Sequence, residues 1–317
     1  MEKTILFEAK EVSKIYANHT ALNSLSLKIP EKSIFGLLGP NGAGKTSFIR
    51  IINQITAPDT GELFLSGKKL NRNHIKDIGY LPEERGLYKK MKIGEQAVYL
   101  AQLKGMEKKQ ATEKLKDWFE KLDILNWWSN TIEDLSKGMA QKIQFITTVI
   151  HNPKLLILDE PFSGFDPINT NIIKNEILKL KDNGTTIILS THNMNSVEEI
   201  CDNIALLNNA NKILEGSVNQ IKEDFSEKIW EITFKGNTVS FANSVWGGWE
   251  LLGQKQLNES TIKATIKLTD KLLLNDFIRG ILENVEIIEI NKVVPTMNDI
   301  FIDAVNQSEK NKSNENE

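Results

Sequence analysis

The spacing of hydrophobic residues differs between three parts of the chain. Up to about residue 216, short apolar runs alternate with segments in which apolar residues recur at helical spacing. The runs SIFGLLG, KLLILDE and TTIILSTH (33–39, 154–160 and 185–192) predict buried strands, and TSFIRIINQI and NTNIIKNEILKLKDNG (46–55 and 169–184) predict helices. Strands that alternate with helices favour a largely parallel α/β sheet.

Two further regions have other patterns. Residues 92–150 show helical periodicity without an intervening strand, which predicts a helical subdomain inserted into the sheet domain. From residue 218 to 306, β-forming segments and amphipathic helices predict a small α+β domain. Residues 307–317 (QSEKNKSNENE) are polar, and we expect a disordered tail there. The predicted division is therefore a domain at 1–217, an accessory domain at 218–306, and the tail.

The composition of the chain indicates a globular protein that is large enough for two domains. Its 317 residues are 40% hydrophobic and 26% charged, and the net charge of -3 gives no basic field that would favour nucleic acid. The single cysteine, Cys201, excludes an internal disulfide and fits a reducing compartment. Neither a membrane-spanning apolar run nor a secretory signal is found, so we expect a soluble, cytoplasmic protein with any membrane role supplied by a partner.

One glycine-rich stretch predicts a phosphate-binding loop. GPNGAGKT, between a predicted strand and a predicted helix, has the spacing of glycine, four residues, glycine, lysine and threonine. The glycines let backbone N–H groups converge on phosphate oxygens, Lys45 would neutralise the β- and γ-phosphates, and the Thr46 hydroxyl would ligate Mg²⁺. A chance glycine turn is the alternative. The predicted ATP-binding residues of this loop are Gly39, Pro40, Asn41, Gly42, Ala43, Gly44, Lys45, Thr46 and Ser47.

Two adjacent carboxylates end one of the predicted buried strands. Ionised carboxylates at the edge of a core are costly unless a cation or hydrogen bonds receive them. Beside a phosphate loop, Asp159 would hold the magnesium shell, and Glu160 would accept a proton from the attacking water. A pair of solvated carboxylates at a strand end is the alternative.

Together with LSKGMAQK (135–142) and STHNM (190–194), these motifs make residues 4–217 resemble the nucleotide-binding subunit of an ATP-binding cassette (ABC) transporter. The resemblance implies that two subunits, as a homodimer or a heterodimer, sandwich two ATP molecules with Mg²⁺. Ser136 and Gly138 would then contact the γ-phosphate of the ATP held by the other subunit. A serine and a glycine at a helix N-terminus suit an anion, although an ordinary helix cap has the same sequence.

The resemblance also implies roles for three further residues. His192 would hydrogen-bond the γ-phosphate and help to position the attacking water. Asp166, in SGFD, would lie in the loop that links the two sites across the dimer. Tyr16 would stack on adenine. Taken singly, a histidine at a strand end and an aromatic residue before a turn are more often structural.

One position departs from the usual family pattern. Glu83, in YLPEERGLY, stands where the family usually has a glutamine that meets the metal and the transmembrane partner. A carboxylate still ligates Mg²⁺ but lacks the amide donor. The stretch resembles a bacterial branch of sodium or drug export ATPases, and PTMNDIFIDAV (295–305) resembles the last segment of the C-terminal domain found on such subunits. A surface glutamate in a charged loop is the alternative.

These observations together predict an ATPase that powers a separate integral-membrane permease, most simply an exporter. The subunit would sit at the inner face of the cell membrane through that permease and would not bind nucleic acid. One alternative is a soluble ABC ATPase that acts on the ribosome or on DNA, but the chain has one cassette and neither a basic linker nor a long coiled coil. A regulator without hydrolysis is disfavoured by the presence of Lys45, Asp159 and Glu160.

Overall fold

The computed structural model describes residues 4–84, 86–243, 247–269 and 272–315. The chain divides into two compact units. The first comprises Met1–Val218 and Phe301–Glu317, and the second comprises Asn219–Ile300.

All of the predicted site residues lie in residues 4–217, on strands and helices or in the loops between them. In chain order these strands and helices are β1 (Ile5–Tyr16), β2 (His19–Pro30), β3 (Ile34–Leu38), α1 (Lys45–Ile52), β4 (Thr60–Leu65), β5 (Lys68–Lys69), β6 (Ile78–Leu81), α2 (Ile93–Leu103), α3 (Lys108–Lys121), α4 (Lys137–Val149), β7 (Leu155–Asp159), α5 (Pro167–Asp182), β8 (Thr186–Ser190), α6 (Met194–Ile200), β9 (Asn203–Asn208) and β10 (Asn211–Ser217). Short 3₁₀ turns lie at Arg72–Asp77, Leu125–Trp127 and Ile132–Asp134.

A six-stranded sheet forms the centre of the first unit. Its strand order is β10-β9-β3-β8-β7-β6, and all neighbours are parallel except the edge pair β10–β9. Every residue of β3, β7 and β8 is buried, as expected for apolar strands that are covered on both faces. The predicted strands are thus confirmed, and the carboxyl ends of β3, β7 and β8 meet at one edge of the sheet.

The N-terminal part adds a second sheet to the largely parallel one that the sequence predicts. Strands β2-β1-β4-β5 form a separate antiparallel sheet. Only two residues, Ala17 and Asn18, join β1 to β2, and Tyr16 pairs with His19 across that turn. So short a connection permits only an antiparallel hairpin, because a parallel crossover needs about a dozen residues.

The inserted helical subdomain is present as predicted. Helices α2, α3 and α4 follow one another without a strand, and aromatic rings join α3 to α4 and to the turn between them. Trp118 meets Phe145 edge to face with centroids 6.1 Å apart, and Phe119 meets Trp128 at 5.1 Å. These contacts give the subdomain a packed interior of its own.

The second unit has the α+β character expected from the sequence. In chain order, α7 (Val218–Asp224), which starts one residue before this unit, is followed by β11 (Ile229–Lys235), α8 (Thr238–Asn243), β12 (Trp249–Gln256), β13 (Thr261–Leu268), α9 (Leu274–Ile281), β14 (Glu286–Lys292) and α10 (Met297–Glu315), which runs past its end. The sheet is antiparallel, in the order β12-β13-β11-β14. Aromatic residues fill its core: the Phe241 ring stacks on Phe234 at 4.4 Å and meets Trp249 and Phe277 edge to face.

Helix α10 corrects the expectation of a disordered tail from residue 307. The helix continues through Glu315, and Asn316 and Glu317 lie outside the described residues. Its start is capped reciprocally, since the Asp299 N–H donates to Thr296 Oγ1 (3.2 Å) and the Thr296 N–H donates to Asp299 Oδ2 (3.1 Å). The stretch after residue 307 contains no glycine or proline that would end the helix.

Candidate nucleotide-binding site

The predicted phosphate loop connects β3 to α1, and its shape requires glycine at two positions. Gly39 and Gly44 have φ of 148° and 109°. A Cβ at either residue would lie 2.3 Å from a carbonyl oxygen, that of Leu207 beside Gly39 and that of Ala21 beside Gly44. Because α1 begins at Lys45, the loop wraps the N-terminus of a helix, where free N–H groups favour an anion.

Lys45 folds back over this loop. Its Nζ donates to the carbonyl oxygens of Gly39 (2.6 Å) and Pro40 (3.0 Å). Burial lowers the pKa of Lys45, while the carboxylates of Glu160, Asp159 and Glu83 act in the opposite direction. The ammonium therefore lies within the field of three of the four predicted acidic site residues, the exception being Asp166.

The other residues of the loop frame an open surface. Asn41, Gly42 and Thr46 are exposed, Pro40 is partly buried, and Ala43 is buried. A Cβ at Gly42 would meet nothing within 4 Å. The loop is thus fixed on its inner side and accessible on the side where a phosphate chain would lie.

Asp159 ends β7 and pairs in register with Ser190 of β8. Asp159 is 6% exposed, and burial raises its pKa, with further increases from the nearby carboxylates of Glu83 and Glu160. No ion pair joins Asp159 to a cation in the described part of the chain. A carboxylate in this position is stabilised when a cation arrives.

Glu160 is fixed by hydrogen bonds from the end of β8. Its backbone has a φ of 48°, an uncommon value for a residue with a side chain, and its N–H donates to Ser190 O at 2.8 Å. Oε1 accepts from the His192 N–H (2.9 Å) and from His192 Nδ1 (2.8 Å), and Oε2 accepts from Thr191 Oγ1 (3.2 Å). The strand-end residues Glu160 and His192, which are 32 positions apart, thus touch directly.

Sequence reasoning missed Thr191 as a member of this group. A hydroxyl residue directly before a strand-end histidine was the available signal. Its Oγ1 donates to Glu160 and also accepts from the Asn193 N–H at 3.1 Å, which couples the carboxylate to the start of α6.

Ser136, Gly138 and Asp166 form a second group. Ser136 caps α4, and its Oγ accepts from the Met139 N–H at 3.3 Å. A Cβ at Gly138 would lie 3.6 Å from the ring of Phe165, the residue directly before Asp166. Asp166 caps α5, and its Oδ1 accepts from the Asn169 N–H at 2.9 Å. No hydrogen bond or ion pair between described residues joins this group to the phosphate loop.

Tyr16 and Glu83 lie at the borders of the site. Tyr16 ends β1, is 39% exposed, and belongs to the hairpin whose Ala21 oxygen abuts Gly44. Glu83 is exposed in the loop after β6, and its charge affects the pKa of both Lys45 and Asp159.

A glycine-shaped loop at a helix N-terminus, with carboxylates at neighbouring parallel strand ends, defines a P-loop nucleoside triphosphatase. The family described as ABC transporter matches residues 22–163, and the C-terminal domain of DrrA1-3-like ATP-binding proteins matches residues 216–305. A family described as AAA domain, putative AbiEii toxin, matches residues 129–198.

Individual relatives agree with the ABC transporter family. The uncharacterized ABC transporter ATP-binding protein YhaQ of Bacillus subtilis is 46% identical over 68% of this chain and 73% of its own length. The bacitracin transport ATP-binding protein BcrA of Enterococcus faecalis is 32% identical over 68% of this chain and 70% of its own. A solved ATP-binding subunit of an ABC transporter superposes with a TM-score of 0.65 at 27% identity, over 69% of this chain and 93% of that one.

The chain therefore belongs to the ATP-binding subunits of ABC transporters, which bind and hydrolyse ATP. Its second unit corresponds to a DrrA-like C-terminal domain. Within the described ranges, the structure contains no helix with the length and apolar character that crossing a membrane requires.

Proposed function

We propose that this chain powers a separate integral-membrane permease that exports its cargo, with Glu160 as the base that activates water. The observation that carries the proposal is the contact of Glu160 with His192 and Thr191, next to Asp159 and within the field of Lys45. Export is supported by the relative named for bacitracin transport and by the match of the C-terminal domain to DrrA-like proteins.

Binding of ATP would rearrange Lys45 first. Its Nζ donates hydrogen bonds to two carbonyl oxygens of the loop. The β- and γ-phosphates would be stronger partners than these carbonyls, because hydrogen bonds between an ammonium and a phosphate are charge-assisted. The loop N–H groups, with Ser47 in the first turn of α1, would receive the remaining phosphate oxygens. Tyr16 would stack on the adenine.

The residues present fit a magnesium ion that is shared with the nucleotide. Within the described residues, no three His, Cys, Asp or Glu side chains stand close enough to hold a metal alone. Mg²⁺ in nucleotide enzymes is instead bound through one or two protein oxygens, the phosphates and water. Thr46 and Asp159 would supply those oxygens, with Glu83 as a third donor. When bound, the ion neutralises phosphate charge.

The hydrogen bonds of Glu160 indicate which atom accepts the proton of water. Oε1 already accepts two hydrogen bonds from His192, whereas Oε2 accepts one from Thr191. Oε2 therefore retains a lone pair for water. In a neutral His192 ring the proton lies on Nδ1, because an ionised Glu160 only accepts. For His192 to donate to a γ-phosphate, the ring must gain a second proton or leave Glu160.

The separation of the second group supports a dimer. Ser136, Gly138 and Asp166 have exposed or partly exposed positions and, among the residues that the structure describes, no hydrogen bond to the phosphate loop of their own chain. In the proposal they complete the site of a second subunit, in a homodimer or a heterodimer. Nucleic acid has no part in this function.

The permease would dock beside the helical subdomain, on the loop from Glu83 to Met91. A groove of about 380 Å³ lies there, lined by Tyr80, Leu81, Leu103 and Lys104 among others. The subunit would then lie in the cytoplasm at the inner face of the cell membrane, held by the permease. We assign residues 1–217 to ATP hydrolysis and residues 218–306 to an accessory domain, a division that the family matches support.

The substitution Glu160→Gln tests the proposed base. We expect ATP to remain bound while the rate of hydrolysis falls about 10²- to 10⁴-fold, because the amide keeps the shape but does not take the proton. Glu199→Gln, at an exposed carboxylate that pairs with Lys174, is the matched control and should keep the wild-type rate.

Two results would contradict the proposal. Hydrolysis by Glu160→Gln at the wild-type rate would exclude Glu160 as the base. Failure of the chain to co-purify with a co-expressed polytopic permease, or to support ATP-dependent transport in vesicles that contain it, would exclude the exporter assignment.

A further inference from the structure

Asp59 holds three consecutive residues at the end of β1. Its N–H donates to Ser13 O (2.9 Å), its Oδ1 accepts from Lys14 Nζ (2.8 Å), and its Oδ2 accepts from the Ile15 N–H (2.7 Å). Tyr16 is the next residue. One aspartate thus fixes the backbone that leads directly into the proposed adenine-binding ring.

The position of Asp59 explains why such a clamp is needed. The pairing of β1 with β4 ends at Ser13 opposite Thr60, so beyond that point β1 is paired only with β2. Asp59 directly precedes β4, and its carboxylate accepts the Ile15 N–H that a continued β4 would have accepted. The side chain therefore replaces a missing strand partner on the side facing away from β2.

Lys14 extends this clamp to the ring itself. The Lys14 side chain is 13% exposed, which is low for a lysine, and its Nζ lies 5.4 Å from the centroid of Tyr16 while it pairs with Asp59. A cation at this distance attracts the ring face. With that face occupied, a purine would stack on the opposite one.

We propose that Asp59, acting with Lys14, is a positioning residue that holds Tyr16 ready to stack on the adenine of ATP. The inference depends on the proposed role of Tyr16. Neither Asp59 nor Lys14 needs to touch the nucleotide. Their contribution is to keep the ring from turning away at the end of a strand that is paired on one side only.

The test compares ATP with inorganic tripolyphosphate, which lacks the base, each with Mg²⁺ and measured by calorimetry on the full-length chain. We expect Tyr16→Ala to weaken ATP binding about tenfold, as for loss of one base–aromatic stack, and to leave tripolyphosphate binding unchanged. Asp59→Ala and Lys14→Met should each weaken ATP binding about threefold, a fraction of the whole stack, again without an effect on tripolyphosphate. Their KM for ATP should rise while kcat at saturating ATP stays constant.

Control variants separate positioning from general stability. Glu62→Ala breaks an exposed pair with Lys69 (2.6 Å) in the same sheet and should change neither ligand's affinity. Asp59→Asn keeps an acceptor for the Ile15 N–H and should recover part of the ATP affinity. In a Tyr16→Ala background, Asp59→Ala should have no additional effect.

Each contrary result identifies which idea is wrong. If Tyr16→Ala binds ATP as tightly as the wild type, the adenine role in the proposed function is wrong. If Tyr16→Ala weakens ATP but Asp59→Ala does not, the positioning role is wrong. Equal weakening of ATP and tripolyphosphate by Asp59→Ala, or additive effects in the double variant, would likewise exclude it.

Discussion

The two compact units differ in one feature of their charged residues, since the first unit groups several carboxylates around one lysine. In the first unit, Asp159 is nearly buried and lies with Glu83 and Glu160 in the field of Lys45. In the second unit, the described ion pairs lie near the surface and join oppositely charged partners. These pairs are Lys263–Glu231 (2.5 Å), Lys267–Glu227 (2.5 Å), Lys235–Glu286 (3.1 Å) and Arg279–Asp276 (3.1 Å).

This difference indicates what each unit is built for. Carboxylates grouped around one partly buried lysine are costly in the free protein and, in the proposed function, would become favourable when phosphates and a cation arrive. Surface pairs have little such potential, and the second unit gains its stability from aromatic packing instead. Substitutions at the nucleotide site of the first unit should therefore mainly change ATP hydrolysis, whereas substitutions in the aromatic core of the second unit should mainly change stability.

The largest expected effect is on the core of the second unit. Phe241 is fully buried and contacts three aromatic rings. We expect Phe241→Ala to lower the free energy of unfolding of this unit by about 4 kcal/mol, since a large cavity remains. Chemical unfolding followed by tryptophan fluorescence measures it, with Phe241→Leu as a milder control. ATP hydrolysis should persist below the transition; a loss under about 1 kcal/mol would contradict the packing argument.

The opposite behaviour is expected at Lys45. Lys45→Met should lower the rate of ATP hydrolysis about 10²- to 10³-fold, because a charge that stabilises the phosphates is lost. The free energy of unfolding should stay the same or rise, since a partly buried ammonium has been removed. ATPase assays and urea unfolding on the same preparation give both values. Hydrolysis near the wild-type rate would show that Lys45 does not contribute to ATP hydrolysis.

Much of the first unit could be predicted from its sequence because two kinds of signal coincide there. Continuous apolar runs identified β3, β7 and β8, and polar motifs marked their ends. Since parallel strands end at one edge, the strand-end residues Glu160 and His192 could be expected to meet. Their hydrogen bonds, and the part of Thr191 in them, needed the register of β7 and β8.

Other features lacked such a signal. Strand β12 is exposed along most of its length, so its residues need not alternate between apolar and polar. The antiparallel N-terminal sheet depends on the pairing of β1 with β4, in which Ser13 lies opposite Thr60. Asp59 could not be predicted for the same reason: its partners are near in space but distant in sequence.

A third prediction concerns a titratable group that the first unit buries away from the nucleotide site. Burial lowers the pKa of His151 to about 4 from its ordinary value of 6.5, and the nearby Lys104 lowers it further while Asp77 opposes. Nε2 contacts Ile78 O at 3.3 Å. The unfolded chain therefore binds a proton below about pH 6.5 that the folded chain binds only near pH 4.

Folding stability should accordingly fall as the pH decreases from 6.5 to 4. We expect His151 to account for about 2 kcal/mol of this loss, given a partly exposed ring. Urea unfolding at several pH values compares the wild type with His151→Gln, in which this part of the dependence should be absent. Equal pH profiles in the two proteins would contradict a His151 that stays neutral in the folded protein down to about pH 4.

The smallest effect is expected at the surface pairs of the second unit. Lys263→Ala removes a cross-strand pair with Glu231 whose side chains are about one-third exposed (36% and 34%), so the free energy of unfolding should fall by less than about 1 kcal/mol. A double-mutant cycle with Glu231→Ala measures the coupling energy between the two side chains. This coupling energy should decrease in about 0.5 M salt, because exposed charges are screened. A coupling above about 2 kcal/mol that persists in salt would mean that this unit also depends on its charges, and the contrast between the two units would then no longer hold.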